Sequence, residues 1–163
     1  MVFLSSSLSA QWQQDSKFGF KIKIPTNWNK NSYMDGTDQV YDYMSADENI
    51  AIQIRAFQAG GEFTTTLLAQ VYEESMLPVG TKKLSLEEYT TANGIQCKKG
   101  VYLINYNGTE VDLSALYIVQ NNNGYVLTAI TPTSIIQQRR DELKQIVVSF
   151  TLDGFNAPNQ NKK

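Results

Sequence analysis

Histidine is absent from the 163-residue sequence. That removes the side chain that most often serves as a general base near neutral pH. It also removes Ser/His and Cys/His nucleophile pairs and every zinc site that uses imidazole. There is one cysteine, Cys97. A lone cysteine excludes an intramolecular disulfide and any multi-cysteine metal centre. Its neighbours Lys98 and Lys99 could lower a thiol pKa, yet without histidine the residue reads as an ordinary strand position. Charged residues are scarce at 18%, with a net charge of −2. A nucleic-acid-binding domain would carry a basic stripe, and none is visible. No apolar run approaches the ~20 residues of a membrane-spanning helix.

What is present suits one globular domain. The length is typical of a single domain. At 42% hydrophobic residues, such a chain buries enough surface to fold without metal or disulfide. The first residues, MVFLSSSLSA, end in Leu8-Ser9-Ala10 and resemble the tail of a secretory signal with cleavage after Ala10. Residues 1–17 therefore read as a signal remnant or disordered start, 18–152 as one domain, and 153–163 as a polar, mobile tail. No internal repeat is visible.

Phe20, Ile22 and Ile24 alternate with Lys21 and Lys23 up to Pro25, the pattern of a half-buried strand. Asn27-Trp28-Asn29 and Asn31 read as a turn-rich connection. Gln39–Met44 reads as a short strand with Tyr41 and Tyr43 on one face. Ile50, Ile52 and Ile54 repeat the alternation until Gly60-Gly61. Thr64 suits a helix N-cap, with Phe63 and Leu68 as a hydrophobic staple and a helix running to Leu77. Leu67, Leu68, Val71 and Tyr72 form its inner face, with Glu73 and Glu74 outward. Asn93-Gly94, Asn107-Gly108 and Asn123-Gly124 predict three hairpin turns. The strands between them carry apolar residues on both faces, so both faces need a cover. Thr131-Pro132 predicts a helix start, with a helix over 132–148. Trp28 and Phe150 are the expected buried anchors.

This pattern resembles the PsbP/Mog-type α/β/α sandwich superfamily. The carriers are Gly19-Phe20-Lys21-Ile22-Lys23-Ile24-Pro25 with Trp28, and Gly124-Tyr125-Val126-Leu127-Thr128 with Pro132 and Ile146-Val147-Val148-Ser149-Phe150. The likeness spans residues 18–152 and is nearest to bacterial envelope proteins of the PsbP-like or DcrB sort. It implies an α+β fold, an α/β/α sandwich around a central antiparallel sheet of five to seven strands. Relatives retain manganese, calcium and chloride in photosystems, bind the Ran GTPase, or chaperone secretion effectors. The resemblance thus implies a non-catalytic binding or assembly module with a protein partner and no cofactor, and the opening residues add export to the periplasm or envelope, with a cytoplasmic protein as the alternative.

Two clusters stand out as candidate sites. Tyr33, Met34, Tyr41 and Tyr43 could form a recognition rim, because aromatic residues and methionine are enriched at interfaces. Asp35, Asp38 and Asp42, with Asp47 and Glu48 nearby, offer the alternative of a small-ligand or divalent-cation site for calcium or manganese. Their spacing lacks the alternating acidic run of an EF-hand. Glu87 and Glu88 are adjacent on a strand, so they point to opposite faces and cannot pair as acid and base. Asn107-Gly108-Thr109 has the form of a glycosylation sequon, which the hairpin turn explains fully. Expression of the complete gene product followed by fractionation should recover a chain beginning at Gln11 outside the cytosol. An uncleaved cytosolic chain rejects the export reading.

Overall fold

The computed structural model describes residues 9–154. Strands β1 (Ala10–Asp15), β2 (Phe20–Pro25) and β10 (Thr151–Leu152) form a small sheet in the order β1-β2-β10. Strands β3 (Asn29–Asp35), β4 (Asp38–Met44), β5 (Ala51–Gln58), β6 (Lys82–Thr90), β7 (Gln96–Tyr106), β8 (Thr109–Gln120) and β9 (Asn123–Pro132) form a seven-stranded sheet. Its order is β3-β4-β5-β9-β8-β7-β6, and every pairing is antiparallel. Helix α1 (Thr65–Ser75) packs on β7 and β8, and α2 (Ile136–Val148) packs on β2 and β9.

Two apolar cores lie on opposite faces of the large sheet. One joins Ile52, Ile54, Tyr125, Leu127, Leu116 and Ile118 to Phe20, Ile22 and Ile24 of the small sheet and Ile146 of α2. The other joins Tyr102, Leu113, Ala115, Tyr117 and Val126 to Leu68, Ala69 and Tyr72 of α1. Residues 116, 118 and 113, 115, 117 of β8 alternate between the two cores, as the period of two requires. The layers are therefore α1, large sheet, then α2 with the small sheet: the α/β/α sandwich.

Local chemistry explains the element ends. Thr64 caps α1, its Oγ1 accepting from the Leu67 amide at 3.1 Å. A second bond set holds α1 down: the Tyr102 hydroxyl donates to Glu73 at 2.8 Å and lies 2.9 Å from the Tyr117 hydroxyl. Asn93 donates to the Val148 and Phe150 carbonyls at 3.1 and 2.7 Å, satisfying acceptors at the last residue of α2 and just beyond it. Ser149 accepts from the Lys23 amide at 2.8 Å and donates to the Ile146 carbonyl at 2.6 Å. The Ile-Val-Val-Ser-Phe motif thus joins helix end, small sheet and core.

Several expectations need correction. Residues 10–17 do not form a disordered start: Ala10–Asp15 pairs with β2 from Ala10↔Pro25 to Asp15↔Phe20. As a mostly exposed edge strand it shows no apolar alternation to read. The same holds for β3, wholly exposed and read from sequence as a connection. The third hairpin turn is Asn121-Asn122, both at positive φ of 53° and 59°, rather than Asn123-Gly124. Gly124 lies in β9, where a Cβ would run into the Phe57 ring. Thr131 and Pro132 are still extended, paired with Asp112 and Val111, and a short 3-10 turn, Thr133–Ile135, precedes α2. Leu67 and Val71 are exposed, while Ala69 takes the inner position and Glu73 turns inward to Tyr102. The cleavage site expected after the first residues and the polar tail concern residues 1–8 and 155–163 in part, which lie outside the described residues.

Trp28 and Phe150 are both buried. Phe150 stacks on Phe20 at 5.9 Å and meets Tyr125 edge-on at 6.3 Å. Phe150→Ala should lower stability by ~3–5 kcal/mol in chemical denaturation. A loss under about one kcal/mol would remove Phe150 from the central role assigned here.

Candidate functional site

The β3–β4 hairpin carries the sequence-predicted site residues. Gly36 stands at φ 61° in the two-residue turn between Asp35 and Asp38, a conformation open to glycine at little cost. Arg55 of β5, buried, donates to Asp38 and to Asp35, both at 2.8 Å. Its charge is thereby neutralised, and the hairpin tip is pinned to the sheet. Removing either carboxylate would leave one guanidinium nitrogen of the buried Arg55 without its hydrogen-bond partner. Asp42 accepts from Gln53 at 2.8 Å. The acidic trio is therefore spread over two polar contacts, and among the described residues no three carboxylate or thiol side chains gather as a metal site.

The four rim residues do not share a face. Register pairs Tyr33 with Val40 and Met34 with Gln39, and side chains alternate along the strand. Tyr33 thus lies on the Arg55 side, and Met34, Tyr41 and Tyr43 on the other. Tyr33 and Met34 are exposed, at 41% and 53%. Tyr41 is half-buried, meets Phe20 edge-on at 5.1 Å, and donates to Asp15. Tyr43 belongs to the core; burial, then the Asp15 charge, pushes its pKa up to about 12. What remains accessible is Tyr33, Met34 and one side of Tyr41. Beside Tyr41 a shallow groove of about 380 Å³ runs between β1 and β3, lined by Gln13, Gln14, Lys30, Ser32 and Tyr41.

Two further features escaped the sequence. Trp12 of β1 is 47% exposed, with Lys21 and Lys23 over its ring at 5.7 and 4.9 Å. Its place in an apparent leader hid it. A cleft of about 430 Å³ opens between α2 and the large sheet. Its floor is built by the cross-strand pairs Asp112↔Thr131, Ser114↔Ala129 and Leu116↔Leu127. The signal available was the polar Asp112 and Ser114 within the largely apolar run from Val111 to Val119 of β8.

With this geometry in place the protein's class is defined: a PsbP/Mog-like sandwich in which a central antiparallel sheet is covered on both faces. The chain belongs to the PsbP family, whose pattern matches residues 10–152. The solution structure of cyanobacterial PsbP (CyanoP) from Synechocystis sp. PCC 6803 is similar at TM-score 0.66 and 10% identity, over 93% of this chain and 97% of that one. The Saccharomyces cerevisiae Ran-binding protein Mog1p gives 0.56 at 12% identity, over 90% and 96%. PA94 from Pseudomonas aeruginosa, a protein of unknown function, gives 0.52 at 14%, over 83% and 92%. No curated protein matches the chain.

The remaining candidates are structural in their surroundings. Glu88 pairs with Lys98 across β6–β7, and Glu87 points to the other face. Asp47, which joins Arg139 at 2.5 Å, is held well below the usual carboxylate range by hydrogen bonds from Ser45, Asn49 and Arg139. Cys97 is buried, and burial pushes its thiol up to about 11. A raised thiol pKa leaves little thiolate at neutral pH. Alkylation of the folded protein at pH 8 should be slower than in denaturant by about a hundredfold or more. Equal rates would return Cys97 to the list of reactive groups.

Proposed function

We propose that this protein is a non-catalytic binding module, exported to the cell envelope, that engages a protein partner along the β3 edge. The observation that carries this reading is the contrast between the two edges of the large sheet. Free edges invite pairing with another strand, and proteins guard them with charge and bulges. The β6 edge carries Lys82, Lys83, Glu87 and Glu88, and its register shifts between Lys83 and Ser85. The β3 edge pairs with β4 in unbroken register. It is exposed over all its residues and holds one lysine, Lys30. Tyr33 and Met34 flank that open backbone, one on each face.

In a two-residue hairpin the pair beside the turn is hydrogen-bonded. The amides of Met34, Ser32 and Lys30 therefore point to the open edge. Strand addition supplies affinity through such amides, and alternate side chains supply specificity. Arg55 holds the hairpin tip in place, which lowers the ordering cost of binding. The missing histidine and the protonated, buried thiol remove the commonest nucleophilic chemistry. In yeast the same fold serves a Ran-binding protein, so it can present a protein-binding surface. The divalent-cation alternative finds no support at Asp35 and Asp38, which already hold Arg55.

Ser32→Pro removes an edge amide without touching the core. Partners captured from extract of the source cell by the parent should be lost by about tenfold or more from this variant, while its melting temperature stays within a few degrees. Glu87→Ala on the opposite edge should capture as the parent does. A folded Ser32→Pro protein that retains every partner overturns the edge assignment.

A further inference from the structure

We infer that the cleft between α2 and the large sheet is a binding site for a small anionic amphiphile with a hydroxyl donor near its charged end. Four buried side-chain polar atoms lack a hydrogen-bond partner among the described residues, and two of them, Asp112 Oδ2 and Thr131 Oγ1, lie in this cleft. A third, Thr133 Oγ1, is two residues further along. Thr131 is 1% exposed. Buried polar groups are almost always partnered, so each orphan calls for an explanation. Asp112 and Thr131 are direct cross-strand neighbours on the cleft floor. One donor-bearing ligand group can therefore serve both, accepting the threonine O–H and giving its own hydrogen to the carboxylate.

The rest of the cleft gives the ligand's other properties. From Asp112 to Leu116 the floor runs ~13 Å along β8 and turns from polar to apolar. Leu116 and Leu127 face Leu143 and Val147 of α2 across the cleft. That end takes a hydrocarbon chain, bordered by Lys99 of β7, the cross-strand neighbour of Leu116, and by Tyr89 of β6. Arg140 and Lys144 stand one turn apart on the α2 rim, and neither is in an ion pair among the described residues. Like charges at this spacing repel and destabilise a helix. An anion between them removes that repulsion. The volume of about 430 Å³ falls within the range of small-molecule sites. An apolar body, a hydroxyl at the Asp112–Thr131 pair and a carboxylate at Arg140 and Lys144 meet all three features. This site lies apart from the β3 edge and stands independently of it.

The test uses 3-hydroxydecanoate as probe, below its micellar range, with binding followed by calorimetry and thermal melting. The hydroxy acid should bind and raise the melting temperature. Decanoate, lacking the hydroxyl, should bind about tenfold more weakly. Thr131→Val keeps the side-chain shape and removes an orphaned hydroxyl. It should melt no lower than the parent, yet bind the hydroxy acid about tenfold more weakly. Arg140→Gln should weaken binding and flatten its dependence on salt. Ser32→Pro should bind as the parent does, which separates failure here from failure at the β3 edge. Absence of binding, equal affinity for decanoate, or unchanged affinity in a folded Thr131→Val protein would each overturn the inference, leaving the orphaned atoms to water alone.

Discussion

The architecture depends on one constraint: the central strands of the large sheet are apolar on both faces. β9 and β8 send side chains into two separate cores, and β5 gives Ile52, Ile54 and Ala56 to one of them and Phe57 to the edge of the other. At roughly 25 cal/mol per Å² of apolar surface, neither face could be left wet. Two covers are required, and the connections supply them. The segment after β5 provides α1 for one face. The segment after β9 provides α2 for the other, and the chain ends join it as the small sheet.

That division sets where free surface can occur. Central strands are enclosed, so polar and exposed residues concentrate at the outer strands β3, β6 and β1. β6 is dense in charge, whereas β3 is open and braced by Arg55. The second cover is composite, with α2 beside a three-stranded sheet. The cleft opens between α2 and the large sheet, on the face that this composite cover closes. Both candidate sites are therefore consequences of how the large sheet is closed.

Much of the fold was legible in local patterns. The isoleucine alternation of β5, the Thr64 cap and the Asn107-Gly108 turn each express a local rule, and the structure bears them out. Gly19-Phe20 through Trp28 and the closing Ser149-Phe150 are legible for a different reason: each serves several contacts at once. The failures share a cause as well. β1 and β3 are exposed edges, so no hydrophobic period marks them. Gly124 looked like a turn glycine, but the Phe57 ring across the β5–β9 pair demands it. The candidate site was less legible. Tyr33 and Tyr43 are close in sequence, yet alternation sends them to opposite faces, and burial withdraws Tyr43.

The sequence by itself determined the class of fold and which side-chain chemistry is missing. Residue types and their periods are local properties: two-sided apolar strands demand a sandwich, and a chain without histidine lacks the usual proton carrier. Tertiary structure alone decided which polar residues became partners. Asp35, Asp38 and Arg55 are brought together by strand register, and Asp112 and Thr131 become neighbours only because β8 pairs with β9. Such pairings join residues up to twenty positions apart, and the closeness of two side chains across a sheet is set by the cooperative packing of the whole, which no local pattern records.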